Sequence, residues 1–423
     1  MEQRVLVIGD LKSTAAAAAA LGAEVWWVVR HGDVPAERPA AVDVTLVLDY
    51  TTDSFLDLVA DLHRVRPFDA IVATLENALL PAAALTDRLG LRGPSREAVR
   101  VLTDKWSTRK RLRERGVSPV AAALGRSADD LRAFAAAHGF PFIAKPVAAT
   151  GSYGVALVDG PECVDAVARR FAEVGTATFL LEEFLDGHEI SVESFSFDGE
   201  HVVLALTDKL VGDGFVEAGH TVPAVLDDAV AQEVVALVTE FLDAVGLRHG
   251  PSHVEVKLTS RGPRVVEGHA RRGGDRINDL VRLVYGIDME EMTVAWALGR
   301  RGPLTARPRA RRGAAIRFAT AGQGEVVAVD GLAQVRSDPQ VVESGVTYAV
   351  GQHIGRTRWS LDRPGFVIAV GATAEEAAHR AEVGAARIVY TVVHGQDDGE
   401  LAAERVLNRE LDLARHVGYE GAG

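Results

Sequence analysis

His253-Val254-Glu255-Val256-Lys257 and Val265-Val266-Glu267 are two strand-like runs joined by Thr259–Pro263, a joint with hairpin character. Each run carries one acid among valines, and antiparallel pairing sets Glu255 beside Glu267. Two adjacent carboxylates with no local cation repel strongly. A hard divalent cation resolves that repulsion, and Mg²⁺ typically takes one or two carboxylates together with substrate phosphates. An exposed cross-strand acid pair is the plainer alternative. The apolar strands around both acids argue against it.

Downstream lies His269-Ala270-Arg271-Arg272-Gly273-Gly274-Asp275-Arg276-Ile277. Arg271 follows the second acid by four residues, where a guanidinium could hold a phosphoryl group or a carboxylate in bidentate fashion. Gly273 and Gly274 permit close backbone approach, and Asp275 could receive an amine. Upstream, Phe142-Ile143-Ala144-Lys145-Pro146 precedes the small-residue loop Ala148–Gly154, which includes Ser152. A lysine ending an apolar strand before such a loop is a phosphate grip: the ammonium supplies a point charge and the loop's N–H groups approach the oxygens. Leu181-Glu182-Glu183-Phe184-Leu185-Asp186-Gly187-His188-Glu189 could pair its backbone with an adenine edge and offer Glu189 to ribose hydroxyls. Phe215–Pro223 reads as a polar loop between a strand and a helix, with Glu217 and His220 facing a substrate. Each of these four segments also has a bland reading as an ordinary hairpin, a solvated acidic turn, a basic surface turn or a plain loop.

The 423 residues are too many for one compact core, so two to four domains are expected. Apolar residues make up 48% and charged residues 25%, ordinary values for a globular protein. The formal charge of −13 argues against nucleic acid as a partner. The single cysteine, Cys163, rules out a disulfide framework within the chain and fits a reducing, cytoplasmic setting. The apolar stretch Ala15–Val29 is interrupted by Glu24 and is too short for a membrane span, so no membrane association is expected. Among 46 basic residues only six are lysine: Lys12, Lys105, Lys110, Lys145, Lys209 and Lys257. A chain this rich in arginine keeps lysine where a compact ammonium is needed, as beside a phosphate. No lysine follows a glycine, so there is no Walker A loop.

Val5–Gly9, Val25–Val29, Thr45–Leu48 and Ala70–Ala73 read as strands alternating with helical patterns, including the alanine run Ala15–Ala20. That alternation predicts a doubly wound α/β domain over 1–102. A central two-lobed domain is expected over 103–310, with lobes at 103–185 and 186–310. The Arg/Pro/Gly-rich stretch Arg300–Arg312 reads as a linker to a C-terminal α+β domain over 311–423. The fold class is therefore mixed, α/β followed by α+β.

Taken in order, Asp104-Lys105, Lys145 with its Gly/Ser loop, Glu182–Leu185 with Gly187 and Glu189, then Glu255 and Glu267 resemble the ATP-grasp superfamily. The likeness covers about 95–300. Within that superfamily the chain is most similar to the dipeptide-forming L-amino-acid ligases, the alanine–anticapsin ligase type. That closer likeness rests on Phe215–Pro223, on Glu267 through Ile277 and on Ala314–Val370. The resemblance implies ATP and Mg²⁺ (or Mn²⁺) as cofactors. It implies that Lys105 and Lys145 contact phosphates under the lid that holds Ser152 and Gly154. Glu182, Phe184 and Leu185 would frame adenine, Glu189 would bind ribose, and Glu255 and Glu267 would hold the metal. Arg271, together with Lys145 and His220, would serve the chemistry. Glu217, His220, Arg271, Gly274 and Asp275 would line the substrate site. The expected reaction joins a small-molecule carboxylate to an amine through an acyl phosphate, giving ADP and phosphate. A homodimer is an assembly consistent with the resemblance.

Two departures stand out. His269 occupies the position where many ATP-grasp enzymes have an asparagine contacting metal, and Asp275 stands where the bacilysin-type ligase has a bulky aromatic. The acid suggests a larger or cationic substrate. Three rivals remain on sequence grounds: a carboxylating ATP-grasp enzyme that activates bicarbonate, a non-catalytic ATP-binding regulatory protein, and a structural interaction module, which would not explain two carboxylates in apolar strands.

Overall fold

The computed structural model describes residues 3–9, 12–147, 154–212, 216–357 and 359–393. Four parallel strands open the chain: β1 (Arg4–Ile8), β2 (Glu24–Val29), β3 (Val44–Val47) and β4 (Ala70–Ala73), in the order β3-β2-β1-β4. Helix α1 (Lys12–Ala20) follows β1, α2 (Asp53–Val65) follows β3 and α3 (Glu76–Leu89) follows β4. Side chains alternate across the sheet. Leu6, Ile8, Trp26 and Val28 pack with Phe55 and Val59 of α2 and Leu85 of α3. Val5, Val7, Val25 and Trp27 pack with α1 on the other face. Both faces are buried, which is why these strands read as unbroken apolar runs. The chain order reverses between β1 and β4, and that switch point lies where α3 begins with Glu76.

Helices α4 (Arg96–Thr103) and α5 (Lys105–Arg115) lead out of this layer. Ser95 caps α4 by accepting from the Ala98 amide, and Asp104 caps α5 at the Ser107 amide. A small antiparallel sheet follows, β5 (Ala122–Gly125), β6 (Phe142–Pro146), β7 (Ala156–Val158) and β8 (Phe179–Glu183), in the order β5-β8-β6-β7. Helices α6 (Ala128–His138) and α7 (Val164–Glu173) cover one face through Leu131, Phe134, Val167 and Phe171.

The largest sheet has eight antiparallel strands. It contains β9 (His188–Phe197), β10 (Glu200–Val211), β11 (Glu217–Val222), β12 (His249–Thr259) and β13 (Gly262–His269), with α8 (Asp228–Val245) between β11 and β12. Helix α9 (Ile277–Tyr285) and helix α10 (Met289–Ala297) follow. After residues 300–312, which contain neither helix nor strand, come β14 (Gly313–Ala319), β15 (Gly324–Asp330), α11 (Leu332–Arg336), β16 (Val341–Val346), β17 (His353–Ile354), β18 (Gly365–Gly371), α12 (Ala374–Arg387) and β19 (Val389–Val393). The sheet order is β13-β12-β9-β10-β11-β14-β18-β16, so the C-terminal strands extend the central sheet. β15, β17 and β19 form a separate small sheet.

Val234, Val238, Phe241 and Leu242 of α8 bury one face of β9, β12 and β13 together with α4. A fully buried phenylalanine contributes about 2–3 kcal/mol of transfer free energy, and Phe241 has no accessible surface. Helix α9 packs on β10, β11, β14 and β18. Helix α10 returns to the N-terminal sheet, where Val294 joins the cluster beneath α1. Among the described residues no helix is long and apolar enough to cross a membrane.

One segment differs from its sequence reading. Residues 217–222, expected as a polar loop, form β11, paired with β10 and β14. Gly219 is required there, because an added Cβ would lie 2.5 Å from the Ile316 carbonyl oxygen across the strand.

Candidate active site

The β12–β13 hairpin pairs Glu255 with Glu267 and, two residues away on the same face, His253 with His269. Its turn is tight: Thr259 Oγ1 donates to the Gly262 carbonyl at 2.7 Å and accepts from the Arg261 amide at 3.1 Å. Val254, Val256 and Val265 are fully buried on the opposite face. A register shift between Glu255 and Val256 puts Val265 on the face opposite Glu267 although only two residues separate them, and a slip of the pairing would put titratable side chains into the α8 core.

Both acids stay partly accessible, with side-chain exposures of 16% for Glu255 and 19% for Glu267. The sequence argument treated them as lacking a local cation, and this is corrected here. Lys105 Nζ lies 3.2 Å from Glu267, and Lys209 Nζ contacts Glu255 directly. Lys209, buried on β10, also lies 2.6 Å from Glu189 and 3.5 Å from Glu217. Burial pushes Glu255 upward, but the Lys209 ammonium and His253 hold it well below the usual carboxylate range. Burial acts likewise on Glu267, and Lys105 and His269 outweigh it. The three carboxylates around Lys209 overcome its own desolvation and raise its pKa well above the ordinary lysine value. The site therefore has counter-charges built from three of the six lysines, with Lys145 as the third. Lys145 Nζ lies 2.6 Å from Glu182, which also bonds Arg109 Nε. Arg109 donates further to the Val265 and Val266 carbonyls at 2.7 and 2.9 Å, tying α5 and β8 to β13. Burial is again outweighed by the two cations, and the Glu182 pKa falls to about 2.

Beyond β8, Phe184 is half-buried and Leu185 buried. Gly187 crosses close over β12, where a Cβ would meet the Leu258 carbonyl oxygen at 2.2 Å. That crossing turns Glu189 toward Lys209 and also to Lys257 at 3.3 Å. Gly154 has φ +72° and leans on Pro146, while Ser152 lies outside the described residues.

Behind the acids sits a row of buried polar groups. Glu193, fully buried, accepts from Ser191 Oγ and pairs with His253 Nδ1 at 2.9 Å. His269 lies between Glu267 at 3.0 Å and Glu76 at 3.1 Å. Glu76 also accepts from Arg271 Nε at 2.6 Å. Arg271 therefore faces the hairpin, oriented by an acid from the N-terminal sheet's switch point. Burial disfavours the His253 imidazolium, yet Glu193 and Glu255 win and raise it to about 9. An unfolded histidine titrates near 6.5. The stabilisation is therefore complete below about pH 6.5 and lost as pH rises to about 9, on the order of 3 kcal/mol at full shift. Urea midpoints measured between pH 6.5 and 9.5 should fall, and His253→Gln should flatten that slope. Equal slopes in the two proteins would contradict this account.

The last group lines β11. Glu217 accepts from Ser360 Oγ at 3.0 Å. His220 is buried, with Nε2 3.2 Å from Asp275 and its ring edge-on to Phe318. Asp275 has φ +48° and receives a bidentate contact from Arg363 at 2.8 and 2.5 Å. Desolvation raises its pKa, but His220 and Arg363 hold it well below the usual range. Gly274 faces open space, whereas Gly273 is hemmed in by Glu193 and His253. Asp275, expected as a residue that could receive an amine, is thus paired with Arg363 and His220 of the protein itself.

Three family models match successive parts of the chain: an ATP-grasp N-terminal domain over 15–93, an ATP-grasp domain over 138–279, and L-amino acid ligase C-terminal domain 2 over 317–393. The chain belongs to the ATP-grasp superfamily. It is 29% identical to the alanine–anticapsin ligase of Bacillus subtilis strain 168 over 248 residues, 53% of this chain and 52% of that protein. It is 30% identical to the enzyme of that name from Bacillus amyloliquefaciens over 258 residues, 55% of this chain and 54% of that protein. The chain thus spans about half the length of the curated relatives it matches. The fold is similar to the L-amino acid ligase from Bacillus licheniformis, with a TM-score of 0.81 and 24% identity, over 93% of this chain and all of that one.

Within this ATP-grasp arrangement several of the expected residues fall into two groups. Lys105 contacts Glu267, Lys145 contacts Glu182, Lys209 contacts Glu189 and Glu255, and the cross-strand Glu255–Glu267 pair joins the first of these contacts to the last. Glu217, His220 and Asp275 meet beside β11, and Lys209 links the two groups through Glu217 and Glu255. Sequence reasoning missed Glu76, Arg109, Glu193 and Arg363. Lys209 carried a signal as one of only six lysines, and Glu76 could have been found from its place at the end of β4.

Proposed function

We propose that the chain is an ATP-dependent carboxylate–amine ligase that joins two amino acids through an acyl phosphate, with release of ADP and phosphate. The observation that carries this reading is the placement of Glu255 and Glu267 as cross-strand partners facing Lys105, with Lys145 also within electrostatic reach of Glu267. The similarity to an L-amino acid ligase C-terminal domain supports amino acids as the acid and the amine.

The donor set fits the group the family implies, because both carboxylates share one face and keep part of their surface accessible. Glu255 and Glu267 would hold Mg²⁺ or Mn²⁺, which when bound neutralises charge on the phosphate oxygens. Lys145, fixed by Glu182, has N–H donors to spare for phosphate, and Lys105 approaches from the N-terminus of α5. Phe184 and Leu185 frame adenine beside the buried Glu182, and Glu189 receives ribose hydroxyls. Arg271, oriented by Glu76, holds the carboxylate to be activated. A carboxylate oxygen attacks the γ-phosphorus and the bond to the ADP oxygen breaks. The second amine then attacks the acyl carbon, the C–O bond to phosphate breaks, and the amine loses its proton. Glu217 and His220 position that amine. Alignment and charge neutralisation provide most of the acceleration. By resemblance the 148–154 loop, which lies outside the described residues except for Gly154, would serve as the lid against hydrolysis. A cytoplasmic setting and a homodimer belong to the same reading.

The test is a matrix of amino acids and small acids scored by phosphate release, with mass spectrometry of the products. ADP formation that requires a pair of amino acids and yields the dipeptide mass is expected. Turnover that depends on bicarbonate, or no turnover with any pair, would overturn the reading.

A further inference from the structure

We propose that Arg363 sets the side-chain specificity of the amino-acid pocket by occupying Asp275, so that the pocket accepts uncharged side chains and excludes basic ones. The inference rests on the ligase reading above and names the substrate class of that site.

The argument begins with the guanidinium. Arg363 precedes β18, in the C-terminal region, and reaches β11 and the turn before α9. Nε donates to the Ser360 carbonyl at 2.6 Å, and Nη1 donates to the Glu217 carbonyl at 3.2 Å and to Asp275 Oδ2 at 2.8 Å. Nη2 donates to Asp275 Oδ1 at 2.5 Å. Four of its five N–H groups are thus engaged. Its plane lies 3.5 Å from the centroid of the Phe318 ring, and the side chain is 9% exposed. A planar fork held by a carboxylate and stacked on an aromatic ring is a site where arginine is pre-organised.

Both acids beside β11 are committed. Asp275 has Arg363 and His220, and Glu217 has Lys209 and Ser360. A ligand ammonium or guanidinium entering this pocket would have to displace a bidentate, stacked and largely desolvated arginine. Breaking such a pair leaves a buried charge unpaired, which is costly. An uncharged side chain displaces nothing. An acidic side chain meets two carboxylates whose cations are already taken. The backbone supports the same conclusion: Asp275 and Arg276 both adopt left-handed φ, +48° and +66°, a strained pairing for non-glycine residues that persists only when contacts over-determine it. The Arg363 fork is one such contact.

The two partners give variants of opposite sign. Arg363→Met keeps the apolar stem over Phe318 and frees Asp275, so the pocket becomes acidic. Asp275→Asn frees Arg363, so the pocket becomes basic. Full-length wild type, both single variants and the double variant would be assayed for ADP release with alanine, leucine, lysine, arginine and glutamate as candidate substrates. The same amino acids would be scored by the shift in melting temperature that they add in the presence of a non-hydrolysable ATP analogue. Wild type should favour alanine or leucine. Arg363→Met should raise kcat/KM for lysine and arginine relative to alanine by roughly tenfold or more, mainly through KM. Asp275→Asn should raise the relative value for glutamate, and the double variant should lose both gains. Wild type that uses lysine as well as alanine, or singles with unchanged preference, would overturn the proposal. If no pair gives ADP while the melting shifts follow the expected pattern, the ligase reading fails and the pocket assignment stands. If ADP forms but neither readout changes preference, the assignment alone fails.

Discussion

Glu267→Ala is expected to lower amino-acid-dependent ADP formation by about three orders of magnitude while leaving the fold intact. Glu267 sits at the rim of the β13 edge strand, partly accessible, so its loss opens no core cavity. The loss does remove one of the two hairpin carboxylates proposed to hold a cation, and it removes the Lys105–Glu267 ion pair. Electrostatic stabilisation of a transferring phosphoryl group has no substitute once the cation is misplaced. Lys145→Ala should fall in the same range, since it deletes the ammonium at the end of β6. The measurement is steady-state ADP release at saturating nucleotide and divalent cation, with far-ultraviolet circular dichroism as the fold control. A Glu267→Ala enzyme with wild-type turnover and an unchanged spectrum would remove Glu267 from the mechanism.

Glu182→Ala is expected to cost about 3–5 kcal/mol of stability. Glu182 neutralises two buried cations, Arg109 and Lys145, whose side chains are 4% and 7% exposed. Truncating it leaves both charges desolvated with no carboxylate. The break also loosens the tie between β8 and β13, because Arg109 spans them. A large drop in melting temperature, read by calorimetry in the absence of ligand, is the check. A drop of one or two degrees would mean that water reaches these cations and that the pair is worth no more than a surface bridge.

Much of the central chemistry was legible because it is local. The valines on either side of Glu255 and the Val265-Val266 run before Glu267, with a short polar joint between, read as a hairpin, and the structure places both acids on one face across a register shift. The scarcity of lysine flagged six positions, of which Lys105 and Lys145 were assigned to the site; Lys209 and Lys257, left unassigned, also lie against carboxylates. The parallel strands β1, β2 and β4 were readable because burial on both faces leaves an uninterrupted apolar run. What stayed hidden is non-local. Glu76 meets Arg271 across 195 residues and Arg363 meets Asp275 across 88, and no spacing in either segment encodes the partner. Strand β11 was misread for a physical reason: Glu217 and His220 point their polar groups into a site, so the strand lacks an apolar face toward that side.

The shared eight-stranded sheet has a practical meaning for anyone who would cut this protein. Strand β14, immediately after the irregular stretch 300–312, zips its backbone onto β11 along Gly219–Val222. Severing the chain in that stretch would leave β11 as a raw margin with unpaired amides and carbonyls, a template for sticking to other molecules. That arginine-rich, irregular stretch is therefore the wrong place for scissors.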